Sequence, residues 1–324
     1  MREMQAVTME HRVFRFHFET GVHFGEGALE DSSIRLRADT VFSALCIEAI
    51  KMGEQQLLDR LVSLARDGSL LLSDAFPFVE NELYITKPFF RIDSEQSDDG
   101  GATVNAKKAF KKLQYIPFNM VQDYFFGDFD VNLAQYTTER LNNGLGISVI
   151  SQRAAVRLPD DTLPYNVGIF NFHKGAGLYI IACGAEESIS LCRDLLTGVA
   201  KTGIGGKRTS GLGRFSIEEE PLDEDMLHGF HDEHIAYMTL SLSLPQDDEL
   251  ENVLRGASYA LLRRGGFVFS ETYSEEALRK NDLFALDSGS VVRSRFKGGV
   301  YDVSHHGSHP VYRYAKPMLL GVKL

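Results

Sequence analysis

The segment Gly203-Ile204-Gly205-Gly206-Lys207-Arg208-Thr209-Ser210-Gly211-Leu212-Gly213-Arg214-Phe215 decides how the rest of the chain is read. It follows an apolar-periodic helical segment and runs into a β-favouring one. Its glycines allow positive φ and close approach of the backbone to a bulky partner. Lys207, Arg208 and Arg214 supply positive charge with no carboxylate between them, a combination that suits a phosphate backbone.

Two better-known glycine motifs do not fit. A Walker loop needs a glycine five positions before the Gly-Lys pair and a hydroxyl residue after it, but Lys201 and Arg208 stand there. A dinucleotide fingerprint lies after a strand and before a helix, and here that order is reversed. A flexible turn with a solvated basic face remains the plainer alternative.

At 324 residues the chain should hold about two domains, each able to bury a core without disulfides or metal. Its 44% hydrophobic and 24% charged residues are ordinary for a folded protein. The formal charge of -11 argues against indiscriminate nucleic-acid binding, because an acidic body repels phosphates; any RNA contact must use local basic patches. Cys46, Cys183 and Cys192 form no Cys-x-x-Cys pair and read as buried thiols of a reducing compartment. The N-terminus has no apolar signal core and no apolar run approaches the roughly 18 residues of a membrane span, so a cytoplasmic protein without membrane contact is expected.

Val13, Phe14, Phe16 and Phe18, interleaved with Arg15, His17 and Glu19, predict a first strand. Asp39-Thr40 is placed to cap a helix carrying Val41, Phe42, Leu45 and Ala49, and Leu57 to Leu64 continues helically. Short strands are expected between Leu70 and Ile85. Asp93 to Ala106, rich in Asp, Ser and Gly, reads as a mobile loop, and Lys107, Lys108, Lys111 and Lys112 as the basic side of a short helix. Gly146 to Val156 and Asn166 to Phe172 flank Pro159-Asp160-Asp161-Thr162-Leu163-Pro164, which predicts a projecting hairpin. Arg153 and Arg157, four apart, share a face of a regular strand and could clamp a phosphodiester, or simply keep an edge soluble. A strand at Leu178 to Cys183, a helix at Ser188 to Ala200, the glycine-rich loop and a closing strand at Phe215 to Ile217 complete a ferredoxin-like order with insertions. Glu218-Glu219-Glu220-Pro221 and Asp223-Glu224-Asp225 read as a linker to a shorter, degenerate copy running to Val322. In it, Arg264-Gly265-Gly266-Phe267-Val268-Phe269 is close to an RNA-recognition octamer but lacks one aromatic position.

No catalytic set is persuasive. His231-Asp232 lacks the further ligands of a phosphohydrolase, and His228, His231 and His234 are more economically exposed linker histidines than a metal site, while the loop of His305, His306 and His309, after Arg293, Arg295 and Lys297, reads as part of a binding surface and not as a metal site. Asp98-Asp99-Gly100-Gly101 has the residues of a cyclase metal motif in the wrong order, and no Gly-x-Ser-x-Gly elbow occurs. His23, in the turn after the first strand, could activate a ribose 2′-hydroxyl in a metal-free nuclease, or bond locally as a turn histidine.

At this point the residues resemble the RAMP proteins of CRISPR systems, whose most specific mark is a glycine-rich loop before the last strand of a ferredoxin-like unit. Within them the chain is similar to subunit 4 of type III-A Csm interference complexes. His23-Phe24-Gly25 followed by Asp39-Thr40-Val41-Phe42-Ser43-Ala44-Leu45, the Arg153 hairpin and the ending His309-Pro310-Val311-Tyr312-Arg313-Tyr314 extend the resemblance over nearly the whole length. It implies an α+β protein of two ferredoxin-like domains, residues 1–222 with insertions and the projecting hairpin, and residues 233–324 as the degenerate copy. It further implies a non-catalytic subunit, without cofactor or metal, that caps the foot of the complex. Such a subunit holds the five-prime repeat-derived tag of the CRISPR RNA and joins the large Palm-containing subunit to the first backbone RAMP subunit. Carried onto this sequence, Gly203, Gly205, Gly206, Gly211 and Gly213 present amides to phosphates beside Lys207, Arg208 and Ser210. Arg153 and Arg157 guide the tag, and His23 is counted with them as an RNA-binding residue. Two alternatives stay open: a metal-independent endoribonuclease that processes precursor CRISPR RNA through His23, and a scaffold with no RNA contact.

Overall fold

The computed structural model describes residues 9–25, 27–53, 55–90, 100–158, 161–231, 235–270, 273, 274, 276 and 278–324, with the side chains of 100–104, 155–158, 161, 162 and 231 left out. The first part of the chain contains β1 (Glu10–Phe18), α1 (Ala38–Lys51), α2 (Gln55–Asp67), β2 (Leu70–Leu72), β3 (Phe76–Val79), β4 (Glu82–Thr86), α3 (Gly100–Lys112), β5 (Tyr115–Pro117), α4 (Val121–Phe126), α5 (Val131–Gly144), β6 (Gly146–Leu158), β7 (Asp161–Phe172), β8 (Ala176–Gly184), α6 (Glu186–Thr202) and β9 (Phe215–Pro221). One antiparallel sheet runs β5-β4-β3-β8-β1-β9, with β2 also paired to β8.

β1 lies between β8 and β9, so both of its edges are paired, and a separate core lies against each of its faces. Phe14 and Phe16 point, with Leu178 and Ile180, into a core closed by Phe42, Leu45, Leu61 and Leu195 of the three long helices. Val13, Tyr179 and Ile181 point the other way, toward Ile116, Tyr124 and Phe129. Alternation on a two-sided strand therefore sorts residues between two cores and not between core and water.

The remainder contains α7 (Glu224–His231), β10 (Ala236–Thr239), α8 (Leu250–Leu254), β11 (Leu261–Arg264), β12 (Leu283–Leu286), β13 (Val291–Val292), β14 (Gly299–Asp302), β15 (Tyr312–Ala315) and β16 (Leu319–Val322). Its sheet runs β13-β10-β16, and Met238 and Leu320 join the second of those cores. The β14–β15 hairpin returns to the helical side. Buried Tyr314 stacks on Phe42 at 5.4 Å, and its hydroxyl accepts the Leu72 amide at 2.8 Å. The two parts thus share both cores.

Several expectations change. The acidic run at 218–221 is no linker but most of β9, because each carboxylate meets a side-chain partner: His17 on Glu218 at 2.9 Å, Arg193 on Glu219 at 2.8 Å and Arg15 on Glu220 at 2.7 Å. Asp223 then accepts the Asp225 amide at 3.0 Å and starts α7. Asp39 does not cap α1: Arg37 stands at the N-cap, and Asp74 accepts the Ala38 amide at 2.8 Å. Of the expected loop at 93–106, residues 93–99 lie outside the described residues, while helix α3 begins at Gly100 and exposes its four lysines around buried Ala109. The hairpin strands are longer than expected, with Pro164 paired to Ala154 inside the ladder. The sequence raised no expectation for α4 and α5, whose apolar residues are spread thinly between polar ones; Asp130 caps α5 by accepting the Leu133 amide at 2.8 Å.

Candidate nucleic-acid interface

The glycine-rich loop is built as a loop pinned at two points. α6 ends at Gly203 (φ 84°), whose amide still donates to Val199 at 2.7 Å. Ile204 donates to the Gly213 carbonyl at 2.9 Å, and Gly213 donates to Gly21 at 2.9 Å, which closes the loop against the turn after β1. Gly213 has φ 79°, and a Cβ there would lie 2.1 Å from the Ile204 oxygen, so only glycine fits. Ile204 is buried in the helical core, and Leu212 packs on Val167 and Ile169 of β7. Between these anchors Lys207 takes a left-handed conformation (φ 58°) and opens a 3-10 turn over Arg208–Ser210.

This corrects one role of the glycines. The amides of Gly203, Gly206, Gly211, Gly213 and Ser210 all donate to backbone carbonyls of the fold. Apart from Gly205, the glycines shape the loop without holding an amide in reserve for a ligand.

His23 is the peg between loop and hairpin. Its ring is buried at 7% exposure, and Nδ1 lies 2.7 Å from the Gly168 carbonyl of β7. A carbonyl only accepts, so Nδ1 carries the proton. The His23 carbonyl accepts the Gly206 amide at 2.8 Å, and a Cβ on Gly206 would stand 2.7 Å from His23 Cδ2. The local, structural reading of His23 therefore describes its place; it does not present its ring to the surface as a direct RNA contact requires.

On the outside, the hairpin and the loop meet. Arg153 is the cross-strand partner of Tyr165, so the two share a face. Lys207 Nζ sits 4.9 Å from the Tyr165 ring centroid, and the Arg208 guanidinium 4.7 Å from that of Phe269, in the second part of the chain. Among the described residues Arg153, Lys207, Arg208 and Arg214 make no salt bridge. Burial lowers the pKa of Arg208, with distant Glu48 opposing. Arg153, Lys207 and Arg208, set beside Tyr165 and Phe269 and outside any salt bridge, are cations interleaved with aromatic faces, a combination that suits the phosphates and bases of a single strand. The β6–β7 pairing shifts register between Val156 and Leu158, and the Arg157 side chain lies outside the described residues.

Sequence reasoning missed Tyr165, and it met Phe269 only as part of an incomplete octamer far from the loop in sequence, without its place beside Arg208. It also missed the role of Asp39. This carboxylate, 3% exposed, accepts both Nε and Nη2 of Arg264 at 2.9 Å and Nη1 of Arg313. Burial pushes its pKa up, but the two guanidiniums outweigh that and hold it below the usual carboxylate range. Arg264 is thereby a tie between the two parts of the chain and not an RNA-reading octamer residue. Among the described residues no His, Cys, Asp or Glu group is placed to hold a metal, and no helix is long and apolar enough to cross a membrane.

Comparison with known proteins addresses the family and the fold. Residues 232–322 match the family model of the CRISPR Csm4 C-terminal domain. A CRISPR system Cms protein Csm4 of Mycobacterium tuberculosis (strain CDC 1551 / Oshkosh) is 39% identical over 97% of this chain and 98% of its own, and that of Streptococcus thermophilus 31% over 98% and 100%. The chain belongs to the Csm4 family. In fold it is similar to a chain of the Csm3-Csm4 subcomplex of the type III-A CRISPR-Cas interference complex (TM-score 0.63, 19% identity, covering 96% of this chain and 98% of that one). It is also similar to a chain of a Csm1-Csm4 cassette in complex with pppApA (TM-score 0.60, 18% identity, covering 98% and 99%).

Proposed function

We propose that this chain is a non-catalytic, guide-RNA-binding subunit of a type III-A CRISPR effector complex in the cytoplasm. It holds the five-prime repeat-derived tag on the surface formed by Arg153, Lys207 and Arg208, and bridges a large Palm-containing subunit to the first backbone subunit. The observation that carries the RNA role is the meeting of Arg153, Tyr165 and Lys207 across the hairpin and loop. The bridging role rests on family members having been seen with Csm3 and with Csm1. The strand order β9-β1-β8-β3 supports a ferredoxin-like first unit, residues 1–222. The second, 233–324, is a degenerate copy in which the β14–β15 hairpin stands before the last strand, where the first unit has α6. An acidic body is no obstacle, since the cations are concentrated at one place. The endoribonuclease alternative is weakened by His23, which is buried and bonded to Gly168.

The test is Lys207→Ala with Arg208→Ala, measured for guide-RNA affinity as a function of salt. Each lost phosphate contact lowers the slope of log K against log salt by about 0.7, so the pair should lower it by about 1.4 with little change in melting temperature. An unchanged affinity and slope would refute the RNA role.

A further inference from the structure

Phe267 and Phe269 are 60% and 64% exposed, on a segment that is firmly held. Phe267 is bridged to Arg279, the Val268 amide donates to Leu278 at 3.0 Å, and the Lys280 amide donates to Gly266 at 2.8 Å. Val268, between them, packs inward near Tyr273, Val303 and Val311. In extended backbone, residues two apart share a side, so both rings face away from that cluster. Tyr273 is itself anchored to the histidine loop: its hydroxyl accepts the His305 amide at 2.6 Å and His309 lies against its ring at 5.1 Å. Each exposed ring also carries a guanidinium: Arg279 stands 5.5 Å from Phe267 and Arg208 4.7 Å from Phe269. The His305 to His309 loop thus backs the aromatic segment, and no metal role is needed to account for it.

Resting on the RNA reading above, we infer that Phe267 and Phe269 form a stacking seat for unpaired bases of the bound RNA strand, so that the second unit contributes directly to the site. Rigid exposed aromatics flanked by cations are what sequence-tolerant single-strand binding uses, since every base has a π-face. An apolar protein partner would be poorly served by a guanidinium on each ring, whereas a polyanion with flat bases complements both the charge and the rings. The seat continues the surface of Arg153 and Lys207 through Arg208, which joins the loop to Phe269.

The experiment uses the full-length chain and a single-stranded RNA octamer carrying 2-aminopurine at each position in turn. One or two positions should be quenched on binding, and an abasic site there should weaken binding. Phe269→Ala should reduce affinity roughly five- to hundredfold, the range of one base–aromatic stack. It should relieve the quench, leave the salt slope unchanged and make the abasic octamer no worse than the intact one. Phe269→Tyr should retain both affinity and quench. The seat is overturned if Phe267→Ala with Phe269→Ala binds every octamer as well as the parent while Lys207→Ala with Arg208→Ala still lowers the salt slope; the RNA reading then survives without it. If neither pair affects RNA and the phenylalanine pair instead abolishes copurification with a partner subunit, the rings belong to a protein interface and the inference fails.

Discussion

Replacing Asp39 by alanine should cost more than any surface change, and the structure gives the size. Asp39 is 3% exposed and Arg313 5%, and the carboxylate receives both Arg264 donors at 2.9 Å as well as Nη1 of Arg313. Removing it leaves two guanidiniums facing each other, with Gly265 O and Thr40 Oγ1 still accepting from them but no charge to balance them. Breaking a buried pair in this way costs about 3–5 kcal/mol, chiefly because the orphaned charge stays buried. The assay is urea unfolding followed by circular dichroism, with Glu251→Ala as control. The Glu251–Arg255 pair has side chains 89% and 72% exposed and should change stability by no more than about 0.5 kcal/mol. Adding Arg313→Leu to Asp39→Ala should recover part of the loss by removing one stranded charge. The pH dependence follows from a folded pKa held below the unfolded value of about 3.9. The contribution of Asp39 is therefore present above about pH 4 and disappears as pH falls through its lower folded value, so the gap between parent and Asp39→Asn should narrow on acidification. A loss below about 1 kcal/mol for Asp39→Ala, or no recovery in the double variant, would refute the role given to this network.

The loop and its peg yield further expectations. Gly213→Ala should strongly impair folding, since its Cβ would stand 2.1 Å from a backbone oxygen, whereas Gly211→Ala, with open space at φ 83°, should cost only the left-handed penalty of about 1–2 kcal/mol; parallel thermal melts decide this. His23→Ala should lower stability by about 1–3 kcal/mol through the unsatisfied Gly168 carbonyl, yet leave RNA cleavage by a fully assembled complex intact. A loss of cleavage by the 10² to 10⁴ typical of a missing general base, with assembly verified, would return the nuclease reading to first place.

From sequence alone came the elements with strong local signals: the alternation of β1, the apolar periodicity of α1 and α6, and the glycines of the loop, whose positive φ at Gly203, Gly205, Gly211 and Gly213 is a backbone requirement only glycine meets readily. The cations Arg153, Lys207 and Arg208 were also legible, because charge without a neighbouring carboxylate shows in the sequence. The fate of polar residues whose partners are remote was not. Glu218 to Glu220 read as linker until His17, Arg15 and Arg193 supplied cross-strand and helical partners, and Asp39 read as a cap until Arg264 and Arg313 closed on it from more than 200 residues away. The same holds for Tyr165 and Phe269. An aromatic residue carries no local mark that distinguishes core from surface, and only the packing of hairpin, loop and the later part of the chain brings each ring to a loop cation and leaves Phe269 largely in solvent.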